Sequence, residues 1–486
     1  MALSTEALED LATRVRSWAL ARMRARIEGN PPPLVARPDP APLAAAYASA
    51  HTADPALATW LAEAIVLAAV DASSESYTKS WRDEPIAIRG EPAIDVRALA
   101  MALVHEPNTG RRALIAKLAD DKAQEHLAAA RGVVDAFRAA ATDRLKQDDA
   151  SRLIAAIGWG EPANVARAAR AVLDSTDDIF HEADGWLRSR LGLSRTGELA
   201  WSDRFRVRAA TRASELVALG DRAGIASRWL VRCGLENAVS GVRDATASPV
   251  MAGLGVFAIV DDPGSRATLV GTPSRTVHGT VDLTAATCEA ALSRIARESR
   301  ISERAGLDRL HRALAFVLGR RLFLEPTFLV REAAVDKGSR ENAQLELLYD
   351  ELFLSRLESA RALFALDVLS RTPDLAGRFR ELVARAIGTA PAPAWAAHDA
   401  ANWALTRPPA MAIAHVLEPQ LRESLRDRYD DDWFRNPRCG EALADRFAAM
   451  RSQGTLAAFA KARGVEDPET VLTADAFARR MREAFG

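Results

Sequence analysis

Helical periodicity runs through nearly the whole of this 486-residue chain, and one stretch alone, Val250 to Leu283, reads as β-structure. In the first segment Leu8, Leu11, Val15 and Trp18 recur at helical spacing up to the break at Gly29-Asn30-Pro31-Pro32-Pro33. A proline-rich connector then continues to Pro42. Helices are expected over 42–49, 55–72, 95–104, 111–120, 123–147 and 151–157, with an extended piece at 85–92. Gly158-Trp159-Gly160-Glu161-Pro162 is a break, followed by helices over 163–191 (interrupted near Asp174), 201–216 and 227–233. In the β-region the apolar runs Val256–Val260 and Ala267–Val270 flank a turn signal, Asp261-Asp262-Pro263-Gly264, and predict a hairpin. Helix returns at about Leu283 and dominates to the C-terminus. The expected fold class is mainly α.

Composition narrows the function. Lys+Arg 64 against Asp+Glu 65 leaves a net charge of -1, so there is no electrostatic footprint for nucleic acid or an anionic membrane. The most apolar run, Ala56 to Val70, is shorter than the roughly 20 residues of a membrane span and carries Glu63, which predicts a buried core helix. Residues 1–16 lack the apolar region of a secretory signal. The three cysteines, Cys233, Cys288 and Cys439, form no CxxC pair and suggest reduced thiols in a cytoplasm. No P-loop, GxSxG or EF-hand pattern is present, and Gly253-Leu254-Gly255 precedes a strand rather than a helix, against a dinucleotide site.

Three segments share a pattern with a known family. They are Gly158-Trp159-Gly160 through Phe180-His181-Glu182-Ala183 to Gly192, then Tyr349-Asp350-Glu351-Leu352-Phe353 to Leu369. The third runs from Leu417-Glu418 through Asp432-Trp433-Phe434-Arg435-Asn436-Pro437 to Gly440. Over roughly residues 150 to 480 the chain resembles the large helical zinc metallopeptidases of the oligoendopeptidase F and thimet oligopeptidase type. The resemblance implies a two-lobed helical body: an N-terminal region, 1–150, and a region 151–486 with the small β-element, continuous around a central cleft. It also aligns Thr287-Cys288-Glu289-Ala290-Ala291-Leu292-Ser293 with the family's His-Glu-x-x-His helix.

That alignment leaves the catalytic centre blank. A zinc peptidase site needs three protein ligands and an open position for water. Here Cys288 stands at the first histidine position, Leu292 at the second, and Glu289 at the general base. The position of the third ligand, a glutamate in the family, falls near Arg312, a fixed cation. The segment matching the family's oxyanion-stabilising tyrosine or histidine is Thr406-Arg407-Pro408-Pro409-Ala410-Met411, without a tyrosine.

The expectation is a catalytically inactive, pseudopeptidase scaffold with no metal and no cofactor. Cys288, Glu289 and Leu292 would be vestigial, and Glu289 would be ion-paired with Arg294 or Arg312. In the family an extended peptide lies along the edge of the small sheet, which implies a peptide or protein partner held by strand addition within 256–283. Glu289, Arg312, Arg275 and His415 would be the polar groups near the old centre. Two alternatives stand beside this reading. One is an active metallohydrolase with a migrated ligand set drawn from Cys288, His278 and His311; the other is a helical assembly protein whose interior is closed by its own side chains. His181-Glu182 is read as a helix-surface cluster, His105-Glu106 as a capping element, and most tryptophans as core anchors.

Overall fold

Asp54 accepts a hydrogen bond from the Leu57 amide and Pro55 occupies the first helical position, so the chain enters a 29-residue helix, α1 (Pro55–Asp83). Comparable starts recur at Asn108 and Asn436, whose side chains cap the helices Thr109–Glu125 and Pro437–Gln453. The computed structural model describes residues 38–485 apart from 52–53, 97–98, 148–151, 194–197, 218, 247–254, 263–265, 296–307 and 404–407, together with scattered positions between 4 and 21. The proline-rich connector before residue 38, the 263–265 turn and Thr406-Arg407 therefore lie outside the described residues. The chain is 75% helical.

Five further helices carry the rest of the argument: α2 (Pro162–Arg190), α3 (Val277–Ser293), α4 (Leu310–Arg321), α5 (Arg340–Leu369) and α6 (Pro408–Tyr429). Several boundaries differ from expectation. α1 runs on to Asp83 and includes an apolar window of mean hydropathy 1.5, so by length and composition it passes for a membrane span. Leu57, Leu61, Ile65 and Val66 are nevertheless buried in the protein core. α2 is uninterrupted at Asp174, and Ser175 and Thr176 there turn their hydroxyls back onto the carbonyls of Ala171 and Val172. The expected helix over 201–216 divides into Trp201–Arg206 and Thr211–Leu216, with Ala210 left-handed between them (φ 43°).

The hairpin is present: β2 (Gly255–Asp262) pairs antiparallel with β3 (Arg266–Thr272), Ala258 opposite Leu269. A strand that the sequence reading missed, β1 (Val242–Ala245), pairs parallel with β3, so the order is β1-β3-β2 and β2 lies at an edge. Gly271 (φ +104°) has no room for a side chain, since a Cβ there would meet the Gly255 carbonyl oxygen at 1.9 Å. One face of this sheet is apolar. Val256, Ala258, Ala267 and Leu269 pack on Leu283, Ala286 and Ala290 of α3. That seat explains why α3 starts at Val277, six residues before the expected Leu283: its first turns already lie in packed structure.

One apolar cluster extends from Leu11 to Met481, so the core does not divide at residue 150. Polar pins cross that boundary too. Arg138 donates to the Val368 carbonyl at the end of α5, and the Trp395 indole donates to Asp120 at 2.7 Å. His398 is fully buried, with the Tyr77 hydroxyl 3.0 Å from Nδ1 and the Ala123 carbonyl 2.7 Å from Nε2. A carbonyl only accepts, so Nε2 carries the proton and Nδ1 accepts from Tyr77 in the neutral ring.

Burial pushes the His398 imidazole down to about 4. The unfolded chain, with an ordinary histidine, binds more protons between pH 6.5 and 4. The stability from neutral His398 is therefore full above pH 6.5 and is lost as pH falls toward 4, amounting to about 3 kcal/mol. Urea unfolding of wild type and His398→Gln across this range should show a shallower pH slope in the variant; parallel slopes would refute the assignment.

Candidate functional site

α3 and α4 touch at a glycine. A Cβ on Gly319 would lie 2.6 Å from Cys288 Cβ and 2.9 Å from both the Ala285 Cα and the Thr284 carbonyl oxygen. This contact buries Cys288 completely, and Leu292, one turn on, is equally buried. Burial pushes the Cys288 thiol well above its ordinary range, so it is a neutral packing group rather than a thiolate ligand. The interior around Leu292 is closed by side chains.

Glu289 is 1% exposed, and such a carboxylate must find a cation. Arg312, 21% exposed, supplies it: NH2 stands 2.8 Å and Nε 3.0 Å from the same carboxylate oxygen. The guanidinium also reaches the Ala258 carbonyl of β2 at 3.4 Å. Of the two partners expected for Glu289, Arg312 is the one that holds it. Arg294 instead donates to the Ala238 carbonyl.

Zinc does not fit this set. Leu292 has no donor atom, Cys288 is held as a buried thiol, and Arg312 places a permanent cation against the surviving carboxylate. The migrated set does not assemble among the described residues either. His278 is on α3 itself, in its first turn rather than ahead of the helix, ten residues or about 15 Å of helix rise before Cys288. It pairs with Asp350 (3.4 Å) and the Arg208 carbonyl. His311 is turned to the Asp308 carbonyl, and burial among Arg451, Arg312 and Arg309 pushes it well below its ordinary range.

The other residues assigned to the old centre separate. Arg275 is exposed, ahead of α3, and Glu289 lies more than three turns further along. Arg275 is therefore not among the polar groups near the old centre. His415 is on α6, 0% exposed, inside a second polar cluster rather than facing an open site. Arg321 NH2 donates to His415 Nδ1 at 3.0 Å, and His415 Nε2 donates to Glu358 at 2.5 Å. A guanidinium has only donors, so Nδ1 must be unprotonated and the ring neutral. Burial pushes His415 down, against the pull of Glu358.

Around this ring, Arg321 bridges Glu351 (2.6 Å) and Glu418 (2.8 Å). Arg320 binds Glu351 and Glu358, and Arg422 binds Glu325 and Glu418. Desolvation raises Glu358, but Arg320 and His415 outweigh it and hold the carboxyl well below its usual range. Sequence reading missed this cluster. Its only signal was the charged pair Arg320-Arg321 in an apolar stretch of α4 and the acids Glu351 and Glu358 on α5.

Exposure survives along one stripe. In α3 every residue from Val277 to Ser293 is buried except Asp282. In α4 the exceptions are Arg312 and Phe316, one turn apart. In the middle of α5 they are Leu354, Glu358 and Arg361. Arg320 ties α4 to α5, lying over the Phe316 ring and bound to Glu358. Of these positions, Arg312 reaches the Ala258 carbonyl of β2 and Asp282 lies beside Gly255 at the start of that strand.

Two other hollows lie elsewhere, one of about 590 Å³ at Arg138 and Arg371 and one of about 1010 Å³ at Arg331 and Asp432. A surface trio of metal-type side chains, Glu84, Glu125 and His126, also stands apart. The Lys122 ammonium already sits 3.2 Å from Glu84 and 3.3 Å from His126.

Comparison with solved structures identifies the architecture. PZ peptidase A in complex with an inhibitor superimposes with a TM-score of 0.64 at 14% identity, covering 98% of this chain and 85% of that one. A candidate oligoendopeptidase F from Bacillus anthracis str. Ames matches at TM-score 0.60 and 12% identity, covering 98% of this chain and 84% of its own. This is the oligoendopeptidase fold. A candidate peptidase from Chlamydophila abortus shares it at TM-score 0.58 and 12% identity, with 99% and 80% of the two chains covered. No family model matches the chain and no curated protein matches its sequence. At these identities the oligoendopeptidase fold is what is shared, and chemistry must be argued from this chain's own residues.

Proposed function

We propose that this chain is a catalytically silent protein of the oligoendopeptidase fold that holds an extended peptide or protein segment in its groove. The observation that carries the silent part is the Glu289–Arg312 ion pair. A general base needs a free carboxylate beside an activated water. Here that carboxylate is buried against a guanidinium and flanked by Cys288 and Leu292, neither of which offers a metal ligand. What supports peptide binding is the edge strand β2, which borders the accessible stripe of Asp282, Arg312 and Phe316 and suits strand addition.

A second reading, a helical assembly protein, is favoured by the closed packing around Leu292. The accessible positions Asp282, Arg312 and Phe316 favour binding over it.

Metal analysis of the purified protein, with hydrolysis of a quenched fluorogenic peptide, tests the silent part. The expected result is far less than one zinc per chain and no cleavage. Stoichiometric zinc that disappears in Cys288→Ala, accompanied by hydrolysis, would overturn it.

A further inference from the structure

We infer that Asp282 makes the groove selective for an extended peptide carrying a basic side chain, which its carboxylate receives beside the first residue of the edge strand. This rests on the peptide-binding reading above and adds the class of ligand.

The geometry comes first. Asp282 alone keeps exposure on α3, an otherwise wholly buried helix, and it lies seven residues before Glu289. Two helical turns separate the pair by about 10 Å, with both side chains on one face. A Cβ built on Gly255, which opens β2, would lie 3.3 Å from Asp282 Oδ2. At the other end, Arg312 reaches Ala258, three residues along the same strand. Three residues of strand also span about 10 Å. The helix face and the strand therefore run side by side over this length, with Asp282 at one end and the Glu289–Arg312 pair at the other.

Charge follows. No hydrogen bond or ion pair joins Asp282 to any described residue. The cations near it are committed: Arg208 to Asp350 at 2.6 Å, and Arg320 to Glu351 and Glu358. Arg312 is held by Glu289. His278 one turn back on α3 pairs with Asp350, which itself adds repulsion from α5. Asp282 is left as the surplus anion of an accessible groove, and its desolvation pushes the carboxyl up to about 6. A group so placed gains most from an incoming cation, because a charge-assisted hydrogen bond repairs what burial took away. A neutral or acidic side chain at this position would leave the deficit or deepen it.

The test uses two labelled, end-blocked hexapeptides that differ at one residue, arginine or its neutral isostere citrulline, titrated into the full chain by fluorescence anisotropy. The arginine peptide should bind wild type about tenfold more tightly or better at pH 7.5. Asp282→Asn, with its thermal midpoint checked, should bind the pair within about twofold of each other while keeping affinity for the citrulline peptide. In wild type the preference should shrink as pH falls from 7.5 to 5, where Asp282 takes up its proton. Because His278, Asp350, Arg208 and Arg320 face the same carboxylate, Asp282→Asn must abolish that pH trend. Equal binding of the two peptides by wild type would overturn the inference and leave peptide binding standing. Binding of neither would overturn both.

Discussion

Replacing Arg321 with methionine should cost this protein about 3–5 kcal/mol. Arg321 is 0% exposed and is the cation shared by Glu351 on α5 and Glu418 on α6, while it also donates to Ser355 and to His415 Nδ1. Methionine fills much of the volume but supplies no charge. Glu418, itself 0% exposed, would keep only Arg422 as a cation at 3.2 Å, and Glu351 would keep Arg320 and the Ser355 hydroxyl. Denaturant unfolding measures the loss. Adding Glu418→Gln should recover part of it, since the double variant no longer leaves that carboxylate underpaired. A cost below about 1 kcal/mol in Arg321→Met would show that the network is not a structural pin.

The second large effect concerns Gly319. Here the neighbours of an added Cβ are a backbone Cα and a carbonyl oxygen of α3 as well as the Cys288 side chain, all within 3 Å. Backbone atoms cannot rotate aside, so α3 and α4 must separate. Gly319→Ala should cost about 1–3 kcal/mol by overpacking, despite the intrinsic helical advantage of alanine over glycine, and Gly319→Val more. The same displacement would draw Arg312 away from Glu289, so unfolding should begin to reflect the unpaired carboxylate. A Gly319→Ala protein as stable as wild type would mean that the helices are not locked at this contact.

These two sites also mark how far the sequence could be read. The helices and the hairpin were legible, because 3.6-residue and alternating patterns are local properties. Glu289 and Arg312 were matched through the resemblance, and the packing of α3 on α4 brings them into contact across 22 intervening residues. Arg275 was misplaced because nearness in sequence to α3 says nothing about which end of the helix faces the site. β1 was missed for a related reason: Val242–Ala245 is four residues long, and its pairing with β3 is parallel and non-local.

By itself, then, the sequence determined the mainly helical architecture, since it follows from residue types and short-range spacing. Tertiary structure alone decided which charged groups neutralise one another and which one is left over. Arg320, Arg321, Glu351, Glu358, His415, Glu418 and Arg422 come from three helices separated by long stretches of chain, and only their packing shows that their charges close on themselves. The same packing leaves Asp282 as the accessible acid on α3. Coulomb interactions depend on distances between faces that helical periodicity can define but cannot bring together.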